Sequence, residues 1–208
     1  VAASICPVPH AYTDHYYKRF LQFMDEPAIT SKDIVMLGNS LTEGGGDWSA
    51  RLGKKNVRNR GIIGDEVMGI YDRLHQILPG HPAKLFLLIG VNDISHNLTS
   101  DSIVSMIRMT IERIRKESPD TKLYLQSLLP FNESFGRYKS LTGKTDMVPE
   151  VNARLEALAK EKDIAYINLF PLFTEKGTNV LRSELTGDGL HLNEDGYRIW
   201  VKAIKKKI

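Results

Sequence analysis

Five short runs, four of them largely apolar, separated by longer stretches with helical spacing, leave this chain few ways to fold. The runs are residues 33–37 (DIVML), 56–59 (NVRN, the weakest), 84–89 (KLFLLI, the strongest), 122–126 (KLYLQ) and 164–167 (IAYI). Runs without polar alternation suit strands covered on both faces, as in a parallel sheet. Between them the period changes. Residues 65–77 set Val67, Ile70, Leu74 and Ile77 on one side, and residues 101–116 do the same with Ile103, Ile107, Ile111 and Ile114. Ser100 or Asp101 is the expected N-cap of the second of these helices. Residues 151–160 repeat Leu155, Leu158 and Ala159, and a last helix is expected over 194–204. Strand–helix alternation of this kind predicts a three-layer α/β/α sandwich, doubly wound around about five parallel strands. Ligands of such sheets bind beyond the carboxyl ends of the strands. The segments after Leu37, Asn59 and Ile89 therefore share one rim.

The 208 residues suffice for one substantial core and are few for two. The expected organisation is an N-terminal segment and helix over residues 1–25, then a single domain over 26–208. The apolar start Val1-Ala-Ala-Ser-Ile-Cys6 fits either the trailing part of a secretory signal, over residues 1–11, or a loosely packed terminus. Export and a cytoplasmic location both stay open. Residues 131–146, rich in Ser, Gly, Lys and Thr, read as a long connection within the domain. Charge excludes little: 28 Lys+Arg against 25 Asp+Glu leave +3, part of it in the tail Lys202, Lys205, Lys206 and Lys207. That run has no aromatic platform beside it, so it reads as a solvated helix end and no nucleic-acid partner is implied. No apolar run is long enough to span a membrane. One cysteine, Cys6, rules out an internal disulfide and a multi-thiolate metal site.

Four segments carry chemistry. In Gly38-Asn39-Ser40-Leu41-Thr42 a serine follows a buried strand directly, where its hydroxyl can stand above the sheet; the plainer alternative is a serine that only caps a helix. The second glycine of the G-x-S-x-G elbow is missing, which disfavours the common α/β-hydrolase. In Asp188-Gly-Leu-His191 a carboxylate and an imidazole three residues apart can hydrogen-bond within one loop. The carboxylate would fix the ring's tautomer and leave Nε2 free to take a serine proton. A structural loop lock is the alternative. A metal site is disfavoured, because His10, His15, His75, His81 and His96 are scattered. Gly64, before Asp65, and Asn92, in Gly90-Val-Asn92-Asp93, follow two further strands. Their N–H and amide groups suit an oxyanion, although turns and helix caps use the same residues.

Taken together, the segments resemble the four blocks of the SGNH/GDSL hydrolases, in that family's order, from about residue 34 to 197. The stretch Asn59-Arg-Gly-Ile-Ile-Gly64-Asp65 is most similar to the branch of platelet-activating-factor acetylhydrolase and carbohydrate acetylesterases. The resemblance implies a flavodoxin-like sandwich with Ser40 as nucleophile, His191 as general base and Asp188 as its orienting partner. It also implies an oxyanion hole of the Ser40 N–H, the Gly64 N–H and the Asn92 amide, with no cofactor and no metal. Asn39 stands where the family usually has Asp; it lies outside the triad and keeps an acceptor. The expected substrate is a small-molecule ester of a short acyl group, acetyl first, on a sugar or other small alcohol. A lysophospholipase or thioesterase, and a non-catalytic carbohydrate-binding module, are the competing expectations.

Overall fold

In a computed structural model, which describes residues 12–208, the five runs become one sheet: β1 (Ile34–Gly38), β2 (Val57–Gly61), β3 (Lys84–Leu88), β4 (Lys122–Gln126) and β5 (Ala165–Ile167). All neighbours pair in parallel, in the order β2-β1-β3-β4-β5, with Ile34 opposite Val57 and Lys84, and Lys84 opposite Lys122. The expected α/β class with five parallel strands is the one found. The possible signal remnant, residues 1–11, lies outside the described residues.

Eight α-helices are described: α1 (Asp14–Asp25), α2 (Ser40–Glu43), α3 (Trp48–Leu52), α4 (Val67–Tyr71), α5 (Val91–Ser95), α6 (Ser100–Glu117), α7 (Met147–Glu161) and α8 (Glu194–Ile204). Every residue of β1 is buried, and Phe86 and Tyr124 stack across β3 and β4 at 4.4 Å between ring centres. Burial on both faces is why β1 and β3 read as continuous apolar runs, whereas β2, with Arg58 and Asn59 half-buried, does not. Helix α8 carries Tyr197 and Trp200 against Trp48 of α3, and Trp200 Nε1 donates to Gln126 Oε1 at 2.8 Å.

Some boundaries differ from the sequence expectation, each for a local reason. The second strand begins at Val57 because Asn56 has a left-handed backbone, φ 66°. The helix expected over 65–77 is α-helical only from Val67 to Tyr71, then continues as 3₁₀ turns at Leu74–Gln76 and Leu78–Gly80. Its four apolar positions are all fully buried nonetheless. The break falls at Arg73, φ −118°, whose guanidinium turns inward to bind Asp65 and two strand-end carbonyls. The cap of α6 is Thr99, not Ser100 or Asp101: the Thr99 hydroxyl accepts from the Ser102 N–H at 3.1 Å. Helix α7 starts at Met147, four residues before the expected start, with Pro149 in its first turn, where a missing N–H costs nothing. Among the described residues no helix is long and apolar enough to cross a membrane.

Helix α1 packs on the loop after β2. Tyr16, Phe20 and Phe23 bury against Ile62, and the Tyr16 hydroxyl donates to the Gly69 carbonyl at 2.7 Å. One wall of the rim is thus made by the N-terminal helix.

Candidate active site

The order β2-β1-β3 puts Ser40 at the end of the middle strand, with Gly64 and Asn92 following its two neighbours. Chain direction at Ser40 is set by its neighbours. A Cβ on Gly38 would lie 2.3 Å from Thr42 Oγ1 and 2.7 Å from the Leu88 carbonyl, so only glycine lets α2 return this close to the sheet. Asn39 then caps α2, its Oδ1 accepting from the Leu41 N–H at 3.0 Å. Ser40 is therefore the first helical residue and not the cap, which leaves its hydroxyl for another partner. Asn39 is fully buried, and its Nδ2 has no hydrogen-bond partner.

The partner of the serine is His191, 151 positions away. His191 Nε2 lies 3.0 Å from Ser40 Oγ, and His191 Nδ1 lies 2.6 Å from Asp188 Oδ2. Facing a carboxylate, Nδ1 is the protonated nitrogen, which leaves the Nε2 lone pair for the serine O–H. Asp188 also locks its own loop: its Oδ1 accepts from the backbone N–H groups of Leu190, at 2.9 Å, and His191, at 2.8 Å. The two alternatives for this pair, loop lock and imidazole partner, are divided between the two oxygens of one carboxylate. Burial works to raise the Asp188 pKa. The bonds from the His191 ring, the two backbone groups and the Tyr138 hydroxyl outweigh it and hold the carboxyl well below the usual range. Helix α8 starts just after His191, and the Tyr197 hydroxyl donates to the Leu41 carbonyl at 2.7 Å. The loop bearing the imidazole is thereby tied to the helix bearing the serine.

The loop after β2 is fastened at its start. Ile62 N–H donates to the Gly38 carbonyl at 3.1 Å, and Ile63 N–H donates to Glu43 Oε1 at 3.0 Å. Gly64 follows with φ 83°, a region that disfavours any side chain. Beneath it, Asp65 and Arg73 form an ion pair at 2.9 Å with both side chains fully buried. Arg73 further donates to the carbonyls of Gly38, at 3.1 Å, and Arg60, at 2.9 Å. One guanidinium thus ties the ends of β1 and β2 to the loop between β2 and α4.

Asn92 is the second residue of α5 and not its cap; its Nδ2 donates to the Asp65 carbonyl at 2.9 Å. That bond uses one of two amide hydrogens and links the third segment to the second. Next to it, Asp93 accepts from the Val67 N–H at 3.2 Å. Burial, with Glu66 nearby, pushes Asp93 up to about 7. A groove of about 300 Å³ opens beside Gly64, with Tyr12, Tyr16, Ile63, Glu66 and His96 among its walls. Among the described residues no group of three or more His, Cys, Asp or Glu stands where it could hold a metal ion.

Sequence reasoning missed several residues. Arg73 sat in an apolar helical pattern with no sign of its partners. Tyr138 and Lys144 lay in a polar connection that gives no periodic signal. The Tyr138 hydroxyl reaches Asp188 Oδ2 at 2.9 Å, and Lys144 Nζ donates to the Ile94 carbonyl, near the end of α5, at 3.1 Å.

A hydroxyl, an imidazole and a carboxylate stand in a row at the carboxyl edge of a parallel sheet, and the sheet with its flanking helices defines the class: an α/β protein. Comparison with known proteins makes this specific: the chain belongs to the GDSL-like lipase/acylhydrolase family, whose model matches residues 36–199, and it is a hydrolase of that family. No curated protein sequence matches it. Among solved structures it is similar to a Streptococcus pneumonia protein named for platelet activating factor, at 25% identity and TM-score 0.83, over 93% of this chain and 92% of that one. It is also similar to a GDSL-like lipase from Bacteroides thetaiotaomicron VPI-5482, at 25% identity and TM-score 0.79, over 92% and 96%. The acetyl xylan esterase AlAXEase shares the fold at 20% identity and TM-score 0.68, over 85% and 99%.

Proposed function

We propose that this hydrolase is a serine esterase that removes short acyl groups, acetyl first, from a carbohydrate or another small alcohol. The observation that carries the reading is the unbroken row Ser40 Oγ–His191 Nε2 at 3.0 Å and His191 Nδ1–Asp188 Oδ2 at 2.6 Å. Ser40 attacks the acyl carbonyl while His191 Nε2 takes its proton. The oxyanion forms against the N–H groups of Ser40 and Gly64 and the free amide hydrogen of Asn92. As the tetrahedral intermediate collapses, His191 returns the proton to the leaving alcohol, and the acyl group stays on Ser40. Water then enters, gives a proton to His191 and releases the carboxylic acid by the same steps in reverse roles. Asp188 stays ionised throughout and steadies the imidazolium.

The groove beside Gly64 supports a polar alcohol portion. It offers the Tyr12 ring as a flat wall and the Glu66–His96 pair, 3.2 Å apart, as hydrogen-bonding groups. An acyl-chain ester series assayed beside acetylated sugars tests this. Each methylene added to an acyl group that already fills its pocket changes discrimination by roughly 1–3 kcal/mol. The acetyl ester is expected to have the highest kcat/KM. A higher value for octanoyl or longer esters would replace this reading with a lysophospholipase or thioesterase.

The pH profile follows from the same row. Asp188 is held well below the ordinary carboxylate range, so it stays charged in mild acid. Loss of activity on acidification is then not a protonation of Asp188; it is expected from protonation of the base that must accept the serine proton, with Asp93, pushed up to about 7, the other group at this rim that gains a proton in the same range. Activity is expected to fall as pH drops from neutral into mild acid, because the base must be unprotonated to take the serine proton. Stopped assays from about pH 4 to about pH 9 span that fall and check it. A flat profile down to mild acid in folded protein contradicts a histidine base.

A further inference from the structure

The long connection between β4 and α7 does more than cross the surface. It folds against the loop that carries Asp188 and His191. Asn132 N–H donates to the Gly189 carbonyl at 2.7 Å, and Asn132 Nδ2 donates to the Leu181 carbonyl at 3.0 Å. Gly189 has φ 91°, and a Cβ there would lie 2.5 Å from the Asn132 carbonyl oxygen, so the two segments touch backbone to backbone. Within the connection, Glu133 binds the Gly143 N–H at 2.6 Å and the Thr145 hydroxyl, which closes it into a compact loop. Lys144 ties the other side of that loop to the Ile94 carbonyl and to Asn97.

Tyr138 sits in the middle of this loop, and its hydroxyl meets the acid–imidazole pair. It donates to Asp188 Oδ2 at 2.9 Å and stands 3.2 Å from His191 Nδ1, with its ring edge-on to the imidazole at 5.7 Å. Asp188 Oδ2 therefore has two donors, the imidazole Nδ1–H and the Tyr138 O–H. Two donors on one oxygen fix the plane of the carboxylate and share its negative charge.

We propose that Tyr138 is a positioning residue: its hydroxyl holds Asp188 Oδ2 against His191 and moderates how strongly that oxygen attracts the imidazolium. The inference rests on the esterase reading for its kinetic consequence, but its structural part does not. Burial and the bond to Asp188 both raise the Tyr138 pKa, which keeps the hydroxyl protonated and a donor. His191 and Asp188 come from one loop and Tyr138 from the other, and Glu133, Arg137 and Lys139 line one narrow cavity together with Tyr138 and Asp188.

Tyr138→Phe removes the hydroxyl and keeps the ring. Losing one donor concentrates charge on Asp188 Oδ2, so the imidazolium is held more tightly. The titration midpoint of the His191 ring, followed by NMR, is expected to rise by about half a unit to one unit relative to the parent. The acid limb of kcat/KM should move up by the same amount, and kcat at the optimum should fall roughly 3–10-fold with KM little changed. A residue that only fills space would leave both midpoint and limb in place, because phenylalanine fills the same space. An unchanged or lowered NMR midpoint in folded Tyr138→Phe overturns the proposal; should that variant not fold, Tyr138→Leu is read by the same criterion. The NMR measurement needs no turnover, so it decides the role of Tyr138 even if the parent protein hydrolyses no ester, a result that would count against the esterase reading alone.

Discussion

Ser40→Ala is expected to leave a folded protein whose ester hydrolysis falls by about 10⁴-fold or more, toward background. The Ser40 hydroxyl is bonded to His191 and the cap of α2 belongs to Asn39, so the fold does not depend on that oxygen. Removing one oxygen at a residue 8% exposed costs little packing, so a thermal melt should shift by only a degree or two, about the change for a few tenths of a kcal/mol. What remains is the oxyanion donors without a nucleophile, which gives only residual acceleration. Activity within a few-fold of the parent would remove Ser40 from the mechanism.

Asn92→Ala carries the second large effect and separates two roles of one amide. One hydrogen of Nδ2 is committed to the Asp65 carbonyl at 2.9 Å. If the other meets the developing oxyanion, its contribution grows as the carbonyl becomes tetrahedral, and kcat should fall by on the order of 10²–10³-fold with KM nearly constant. If the amide only ties α5 to the loop after β2, the loss is one hydrogen bond, about 1 kcal/mol of stability, with kcat nearly untouched. Kinetics and a melt on this one variant distinguish the two. The account predicts the fall in kcat.

Both variants concern residues that are legible in the amino-acid sequence itself, and the reason is physical. Ser40, Gly64 and Asn92 each follow a strand of the sheet, apolar for Ser40 and Asn92 and weaker for Gly64, and a parallel sheet brings such positions to one edge. His191 and Asp188 are three residues apart, so their contact is local. The supporting residues lack both advantages. Tyr138 lies 50 positions from Asp188 in a stretch without periodicity, and nothing in a polar connection announces which aromatic turns inward. Arg73 occupies a position that helical spacing assigns to a face, yet its side chain runs to carbonyls of two strands, a demand set by tertiary geometry alone. The same demand breaks the helix expected over 65–77. Burial at Val67, Ile70, Leu74 and Ile77 is readable because spacing encodes which side faces the core, whereas hydrogen-bond continuity along the backbone is not encoded there.

Asn39 is a narrower case. Its side-chain oxygen does the capping that a carboxylate would do, while its buried Nδ2 is left without a partner. The amide therefore keeps the cap through its oxygen and leaves one buried donor unpaired, a desolvation cost.

The central claim is that Ser40 is a nucleophile activated by His191, and covalent labelling tests it most directly. The folded parent is treated with an organophosphonate ester, digested, and mapped by mass spectrometry, beside Ser40→Ala and a denatured control. The account predicts one phosphonate adduct, on Ser40, which is lost in Ser40→Ala and in denatured protein. An unmodified Ser40 in folded protein, or an adduct on another residue that survives Ser40→Ala, would contradict it.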